Sequence, residues 1–274
     1  MIKFEKTEVV GWEAAIRGMR NPKNSWEKGD SGYCRDFDCE FDGCPVWDQD
    51  EEMCLLPLDT DYIVGPNDHK LMMTLANGGP VHAKYRRMIV VYVDITAPLY
   101  WWKEFDTYKV GTVANSCSTM HKIAEKEFTL EDFSCEHLIA DDENPVYSAL
   151  NDERLDGGGL LGVTINVLNY WRKKFLEVSE QLAYDMSHDK MMELLSLKRK
   201  YWWQMIQLLP SSYNQRRTVM MNYEVLAGIY PMRKDHKLDE WHDFCHWIEE
   251  LPYSEIITCK ADNVRDRNGE KSNE

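Results

Sequence analysis

The hydrophobic pattern is most distinctive around one apolar run that leads into a polar segment. The run MIVVYV at residues 88–93 is continuous and rich in β-branched residues, which predicts a buried strand covered on both faces. Thr96 and Pro98 suit the start of a helix, and apolar residues recur at helical spacing over 99–105, so an amphipathic helix is expected next. After Gly111 the pattern stops, and we expect a loop with six side chains capable of hydrogen bonding: Thr112, Asn115, Ser116, Ser118, Thr119 and His121. This loop is a candidate ligand site, or its side chains satisfy the loop's own backbone.

Helical spacing of apolar residues predicts further helices on either side of this segment. A short helix is expected around Trp12 and Met19, and Asn21 and Pro22 end it. Three consecutive glycines at 157–159 indicate a flexible joint before a long helix. The other helices are predicted from 66–68 to 77–79, from about 160 to 182, from about 188 to 207, from 218 to 230 and from 237 to 250.

The composition is that of a globular protein. Of the 274 residues, 43% are hydrophobic and 12% aromatic, which is enough to fill a core, and we expect one domain over residues 1–260 with a disordered tail at 261–274. A net charge of −15 would repel a phosphate backbone, so general nucleic-acid binding is not expected. No stretch approaches the roughly 18 apolar residues of a membrane span, and the N-terminus lacks the features of a secretory signal. We therefore expect a cytoplasmic protein that does not bind membranes.

An acidic insertion at about residues 28–60 carries four of the eight cysteines. The spacing of Cys34, Cys39, Cys44 and Cys54 is C-x4-C-x4-C-x9-C, which differs from the C-x2-C pairs of common zinc ribbons. Four thiols in a segment short of core residues can hold a zinc ion or an iron–sulfur cluster, since a metal would order such a segment. The alternative is a set of reduced thiols without a ligand.

Two basic clusters occur in this acidic chain. Residues 82–87 precede the predicted strand, and Arg216 and Arg217 lie in a polar loop before the helix predicted at 218–230. Guanidinium groups bind phosphate and carboxylate bidentately, so Arg87, Arg216 and Arg217 are candidate anion ligands. The alternative is that these charges are simply solvated.

Two separated stretches resemble the flavin-dependent thymidylate synthase family. Residues 88–121 give a strand, an aromatic helix and a polar loop whose end is similar to the family signature R-H-R-x-x-S-x-N-E-x-S-x-R-Y. The sequence LLP at 208–210, followed by MNYEVLAGIYPMR, is similar to the family's L-P turn, asparagine-bearing helix and helix-ending arginine. The order and spacing of these parts agree over most of residues 62–250.

Four residues of this sequence match the family pattern. Asn115 and Ser118 match the asparagine and second serine of the signature, and Asn222 and Arg233 match the asparagine and arginine of the later helix. The R-H-R triplet falls instead on Tyr108, Lys109 and Val110, and the signature glutamate, arginine and tyrosine fall on Ser116, Met120 and His121. The cationic side chains that can rebuild an anion site are His82, Arg86, Arg87, Lys109, His121, Arg216 and Arg217.

The resemblance implies a fold and a function. The implied fold is α+β, with a central twisted sheet packed with helices, and the implied assembly is a homotetramer whose subunits share active sites. The implied activity is that of a flavoenzyme that uses FAD to modify a pyrimidine nucleotide with a one-carbon donor. Two alternatives stay open: a protein that kept the pocket but lost catalysis, for example to sequester or sense a nucleotide in a phage or its host, and an assembly protein whose cysteine-rich insertion binds a partner.

Overall fold

The computed structural model describes residues 2–33, 62–139 and 157–259, and between them the backbone of two pairs of short strands. The strands are β1 (Lys3–Val10), β2 (Gly32–Tyr33), β3 (Trp47–Asp48), β4 (Met53–Cys54), β5 (Tyr62–Ile63), β6 (Val90–Pro98), β7 (Val113–Ser116), β8 (Val146–Tyr147), β9 (Arg154–Leu155) and β10 (Asn214–Asn222). The α-helices are α1 (Trp12–Arg20), α2 (Pro66–Asn77), α3 (Leu99–Phe105), α4 (Thr119–Lys122), α5 (Gly157–Gln181), α6 (His188–Leu208), α7 (Tyr223–Arg233), α8 (Asp239–Glu249) and α9 (Glu255–Thr258). Short 3₁₀ helices occupy Asn21–Lys23, Trp26–Lys28, Lys84–Met88 and Leu130–Asp132.

Tertiary contacts divide the chain into two compact units. The first unit comprises residues 96–105 and 116–216, and the second comprises residues 2–95, 106–115 and 217–274, as far as the structure describes them. The expectation of a single domain stays a prediction. Among the helices described, none combines the length and the apolar character needed to cross a membrane.

The strand predicted from the apolar run is confirmed, with later bounds. It is β6 of a four-stranded sheet with the order β1-β6-β10-β7. Val91, Val93 and Ile95 are buried, whereas Tyr92 between them is 42% exposed. The expectation that both faces are covered is therefore wrong, because β6 alternates like a half-buried strand although two of its outward residues, Val90 and Tyr92, are apolar.

The helix expected to start at Thr96 begins later, because Thr96 and Pro98 belong to β6. The N–H of Leu99 donates to the Tyr213 carbonyl (3.0 Å), so a backbone acceptor replaces the expected capping side chain. The helix α3 itself is confirmed, and its buried residues are Trp101, Trp102 and Phe105.

The polar segment after Gly111 is not a loop throughout. It contains the strand β7, whose four residues are all exposed, and the short helix α4. An edge strand without a buried face gives no alternation of apolar residues, so the sequence pattern could not reveal it.

The segment predicted as one helix at 218–230 is half strand. Residues up to Asn222 belong to β10, in which Gln215, Val219 and Met221 are buried, and α7 starts at Tyr223. The prediction failed because only Asn222 separates the apolar residues that end the strand from those that begin the helix, and no turn lies between the two elements.

The two long helices α5 and α6 agree with their predicted ranges, except that the glycines at 157–159 form the first turn of α5 rather than a joint. They help to enclose the core of the first unit, which contains Ile123, Ala124, Phe128, Phe133, Leu161, Leu168 and Met205.

A buried ion pair joins α1 to α2 in the second unit. The Nε of Arg20 lies 2.6 Å from Asp68 Oδ1, and both side chains are almost fully buried. The other two guanidinium nitrogens donate to the carbonyl oxygens of Ser25 (3.1 Å) and Lys28 (2.8 Å). Arg20 is thus satisfied at every nitrogen, as burial of a guanidinium requires.

The start of α2 agrees with the prediction, but its cap comes from elsewhere in the chain. The carboxylate of Asp30 accepts the N–H groups of Asn67 (2.8 Å) and Asp68 (3.0 Å), which are first-turn donors without helical partners. An acceptor far away in sequence leaves no local capping pattern to recognise.

We predict that Asp68→Asn lowers the free energy of unfolding by about 3–5 kcal/mol, because Arg20 keeps a buried charge without a counterion. Urea denaturation measures this loss. The control is Glu13→Gln, which removes an exposed partner of Arg17 and should cost less than about 1 kcal/mol. Equal losses for the two variants would contradict the prediction.

Candidate functional site

A cleft of about 550 Å³ lies within the second unit. Its walls come from the 3₁₀ helix Lys84–Met88, from residues 107–111, and from the end of β10 with the first turns of α7. The lining residues are Arg87, Thr107, Tyr108, Lys109, Val110, Gly111, Asn222, Glu224, Val225 and Gly228. This volume falls within the range of about 300–1,000 Å³ that is usual for small-molecule sites.

Two cations line the cleft. Arg87 and Lys109 are exposed, and neither forms an ion pair or hydrogen bond with a described residue. Their charges are therefore available to a bound anion, with the bidentate geometry of a guanidinium at Arg87 and a point charge at Lys109.

The wall formed by residues 107–111 packs closely against the first turn of α7. Gly111 has a φ of +78°, and a Cβ atom there would lie 2.9 Å from Val225 Cγ2 and 3.2 Å from Asn222 Nδ2. Asn222 caps α7, because its Oδ1 accepts the N–H of Val225 (3.0 Å). One asparagine thus forms both the start of the helix and part of the cleft.

Glu224, the one carboxylate among the described residues that line the cleft, forms a long ion pair with Arg86. The Arg86 side chain is fully buried, and its Nη1 is 3.5 Å from Glu224 Oε2. Glu224 Oε2 and Arg86 Nε are buried without a hydrogen-bond partner, and Arg86 Nη2 donates to Cys259 Sγ (3.4 Å). Burial raises the pKa of the neighbouring Tyr85, whose hydroxyl stays protonated and donates to a backbone carbonyl.

Arg233 acts on the cleft through Tyr108. Its Nε donates to the Tyr108 hydroxyl (2.7 Å), and its guanidinium lies 4.4 Å from the centroid of the Trp241 ring. Arg233 itself is not among the residues that line the cleft. Stacking and the hydrogen bond together fix the orientation of Tyr108.

The structure brings Arg87 and Asn222 of the predicted residues together in the cleft, with Arg233 behind Tyr108. Ser118 caps α4 by accepting the N–H of His121 (3.2 Å), and the His121 side chain is exposed. Asn115 is exposed on β7. As ligand contacts, these residues stay predictions.

Arg216 and Arg217 lie in β10 rather than in a loop. Successive side chains of a strand point to opposite faces, so the two arginines lie on opposite faces of β10. As anion ligands, they stay predictions. Arg217 lies 2.7 Å from the carboxylate of Asp106. The local structure expected for this pair is therefore wrong.

Sequence reasoning missed Glu224 as a cleft residue. One sequence feature could have indicated it: Glu224 follows two residues after Asn222, in the helix that is similar to the family's asparagine-bearing helix. Tyr108, Lys109 and Val110, which the resemblance places at the R-H-R positions, do line the cleft.

The predicted metal site of the cysteine-rich insertion lies largely outside the described residues. Cys34, Cys39 and Cys44 are not described, Cys54 is described only through the backbone of β4, and the predicted tail at 261–274 is also outside. Within the described ranges, no group of three or more His, Cys, Asp or Glu side chains is placed to hold a metal ion.

No protein-family model matches this sequence, and no curated protein matches it. Solved structures do. Thymidylate synthase X (ThyX) from Helicobacter pylori with FAD and dUMP has a TM-score of 0.52 and 13% identity, over 93% of this chain and 96% of that chain. A second structure of flavin-dependent thymidylate synthase ThyX from the same bacterium, complexed with FAD and dUMP, has a TM-score of 0.51 and 13% identity, over 92% and 96%.

The fold of this chain is similar to that of ThyX. The predicted α+β fold is thereby confirmed. At this identity the likeness to ThyX concerns the fold alone, since related folds carry different functions.

We predict that Gly111→Ala destabilises the chain more than Gly79→Ala. Both glycines have positive φ, but a Cβ at Gly79 meets nothing within 4 Å, whereas one at Gly111 collides with Val225. The control should lose about 1–2 kcal/mol of unfolding free energy, and Gly111→Ala a further 1–3 kcal/mol or so. Urea denaturation of both variants tests this, and equal losses would show that the two walls are not closely packed.

Proposed function

We propose that this chain is a diverged ThyX-like protein whose cleft binds a flavin or pyrimidine nucleotide through its phosphate groups. The observation that carries the proposal is the pair of cations, Arg87 and Lys109, which face a cleft of nucleotide size without a partner among the described residues. It is supported by the similarity to folds whose solved structures contain FAD and dUMP.

The described residues fit a phosphate-bearing cofactor such as FAD. Arg87 and Lys109 would hold phosphate oxygens, and Tyr108 with the apolar side chains of Val110 and Val225 would pack against a ring. When bound, a flavin supplies hydride-transfer chemistry, and the protein supplies binding and orientation. Arg233 would act in the same site by holding Tyr108 in place.

A second candidate function is nucleotide binding without catalysis. It is favoured by the replacement of the R-H-R triplet by Tyr108, Lys109 and Val110, since the family uses that triplet to position flavin. Both candidates need the same cleft cations. They differ in whether the purified protein retains a flavin.

We also propose that the chain forms a homo-oligomer, a tetramer by the family resemblance, in which a second copy covers α5. Four exposed apolar residues on α5 follow the 3-4-3 spacing of a coiled-coil seam: Leu160, Val163, Val167 and Tyr170. A helix face with this spacing is complementary to the same face of another copy.

We predict that Arg87→Ala and Lys109→Ala each weaken binding of FAD or dUMP about tenfold or more, because each removes a charge-assisted hydrogen bond. Absorbance from 300 to 600 nm reports retained FAD, and calorimetry reports dUMP. The matched control is Lys84→Ala, which removes an exposed cation of the same 3₁₀ helix that does not line the cleft.

Retained flavin in the wild-type protein supports the flavoenzyme, and dUMP binding without flavin supports the binding protein. If wild-type protein binds none of FAD, dUMP and UMP, both candidates fail. If binding is unaffected by either substitution, the ligand site is not this cleft.

We predict that Val163→Asp lowers the oligomeric state, since it buries a charge in the proposed seam. Size-exclusion chromatography with light scattering measures the mass. Asn166→Asp adds the same charge at an exposed polar position of α5 and should leave the mass unchanged. A monomeric wild-type protein would overturn this proposal.

A further inference from the structure

We propose that Glu224 makes this cleft select ligands with a ribose, by accepting hydrogen bonds from the sugar hydroxyls of a ribonucleoside 5′-phosphate. This inference rests on the proposed function, because it assumes that the cleft cations bind the phosphate of the same ligand. It adds a specificity-determining residue that the family resemblance did not supply.

A carboxylate in this position is unexpected for a site that binds only an anion. Glu224 lines the same cleft as Arg87 and Lys109, and its negative charge repels any phosphate that these cations attract. An ionised carboxylate is an acceptor only, with room for several hydrogen bonds. The arrangement is favourable when the ligand brings donors to Glu224 and negative charge to the cations.

The protein itself does not satisfy Glu224. Its side chain is 18% exposed although its Oε2 is buried, and that oxygen lies 3.5 Å from Arg86 Nη1 without forming a hydrogen bond. Arg86 is buried and permanently charged, so it needs a negative neighbour, and Glu224 is the carboxylate that pairs with it among the described residues. The pair keeps a carboxylate at the cleft, and its Oε2 accepts no hydrogen bond from the described residues.

The order of groups in a nucleotide points to the sugar as the donor. The sugar lies between the phosphate and the base, so hydroxyls are the donors nearest to a phosphate held by Arg87 and Lys109. A vicinal diol can donate two hydrogen bonds to one carboxylate, and an acidic side chain on a ribose hydroxyl is a recurring solution in nucleotide sites. A 2′-deoxyribose lacks one of the two donors.

The test is calorimetric titration of the full chain with UMP and dUMP, for wild type and Glu224→Gln. Wild type should bind UMP at least about tenfold more tightly than dUMP, because a hydrogen bond to a charged acceptor is lost in the deoxy compound. In Glu224→Gln this preference should fall to about twofold or less. Binding of inorganic phosphate should not weaken in the variant, since the cations are unchanged.

Two further variants keep the test valid if Glu224→Gln folds poorly with Arg86 unpaired. Glu224→Asp retains the charge but withdraws the carboxylate by one methylene, and it should also lose most of the preference. The double variant Arg86→Met with Glu224→Gln removes both charges and should show no preference.

Each outcome decides between the proposals. If both nucleotides bind wild type equally, or if the preference survives in all three variants, the inference is overturned while the proposed function stands. An equal loss of UMP and dUMP affinity in Glu224→Gln would assign the contact to a group that both nucleotides carry, the 3′-hydroxyl or the base, and would also overturn the selection of ribose. If FAD alone binds, Glu224→Gln must weaken it about tenfold, since FAD also carries ribose hydroxyls. Absence of all binding overturns both proposals.

Discussion

The burial of Arg86 is the constraint on which the cleft depends. A guanidinium cannot lose its charge, so it can be buried only beside a carboxylate, and Glu224 provides one at 3.5 Å. This pairing ties the 3₁₀ helix Lys84–Met88 to the first turn of α7. The next residue, Arg87, then reaches the cleft. Two adjacent arginines thus have opposite tasks, one inside the unit and one at its surface.

The electrostatics of the cleft contrast with those of the whole chain. A protein with a net charge of −15 repels phosphate at long range. Arg87 and Lys109 therefore act locally, within roughly a Debye length of 8–10 Å at ordinary ionic strength. Binding of an anion here depends on short-range hydrogen bonds more than on long-range attraction.

The sequence predicted those elements in which a single periodicity runs without interruption. The helices α5 and α6 were found close to their true bounds because their apolar spacing is continuous. Where a strand and a helix follow one another with no turn between them, as at Asn222, the apolar pattern predicted a single helix over both. The sequence predicted part of the cleft, namely Arg87 and Asn222. It did not predict Glu224, because the place of Glu224 depends on a contact with Arg86 that no local pattern encodes.

Three of the four residues that match the family motif have structural tasks in this chain. Ser118 and Asn222 each cap a helix, and Arg233 is held between a hydroxyl and an aromatic ring. Serine and asparagine are favoured at helix starts in any protein, whatever it binds. Their presence in this chain is therefore explained by folding alone, whatever the cleft binds. A motif-like residue that also stabilises the start of a helix is thus better evidence of architecture than of activity.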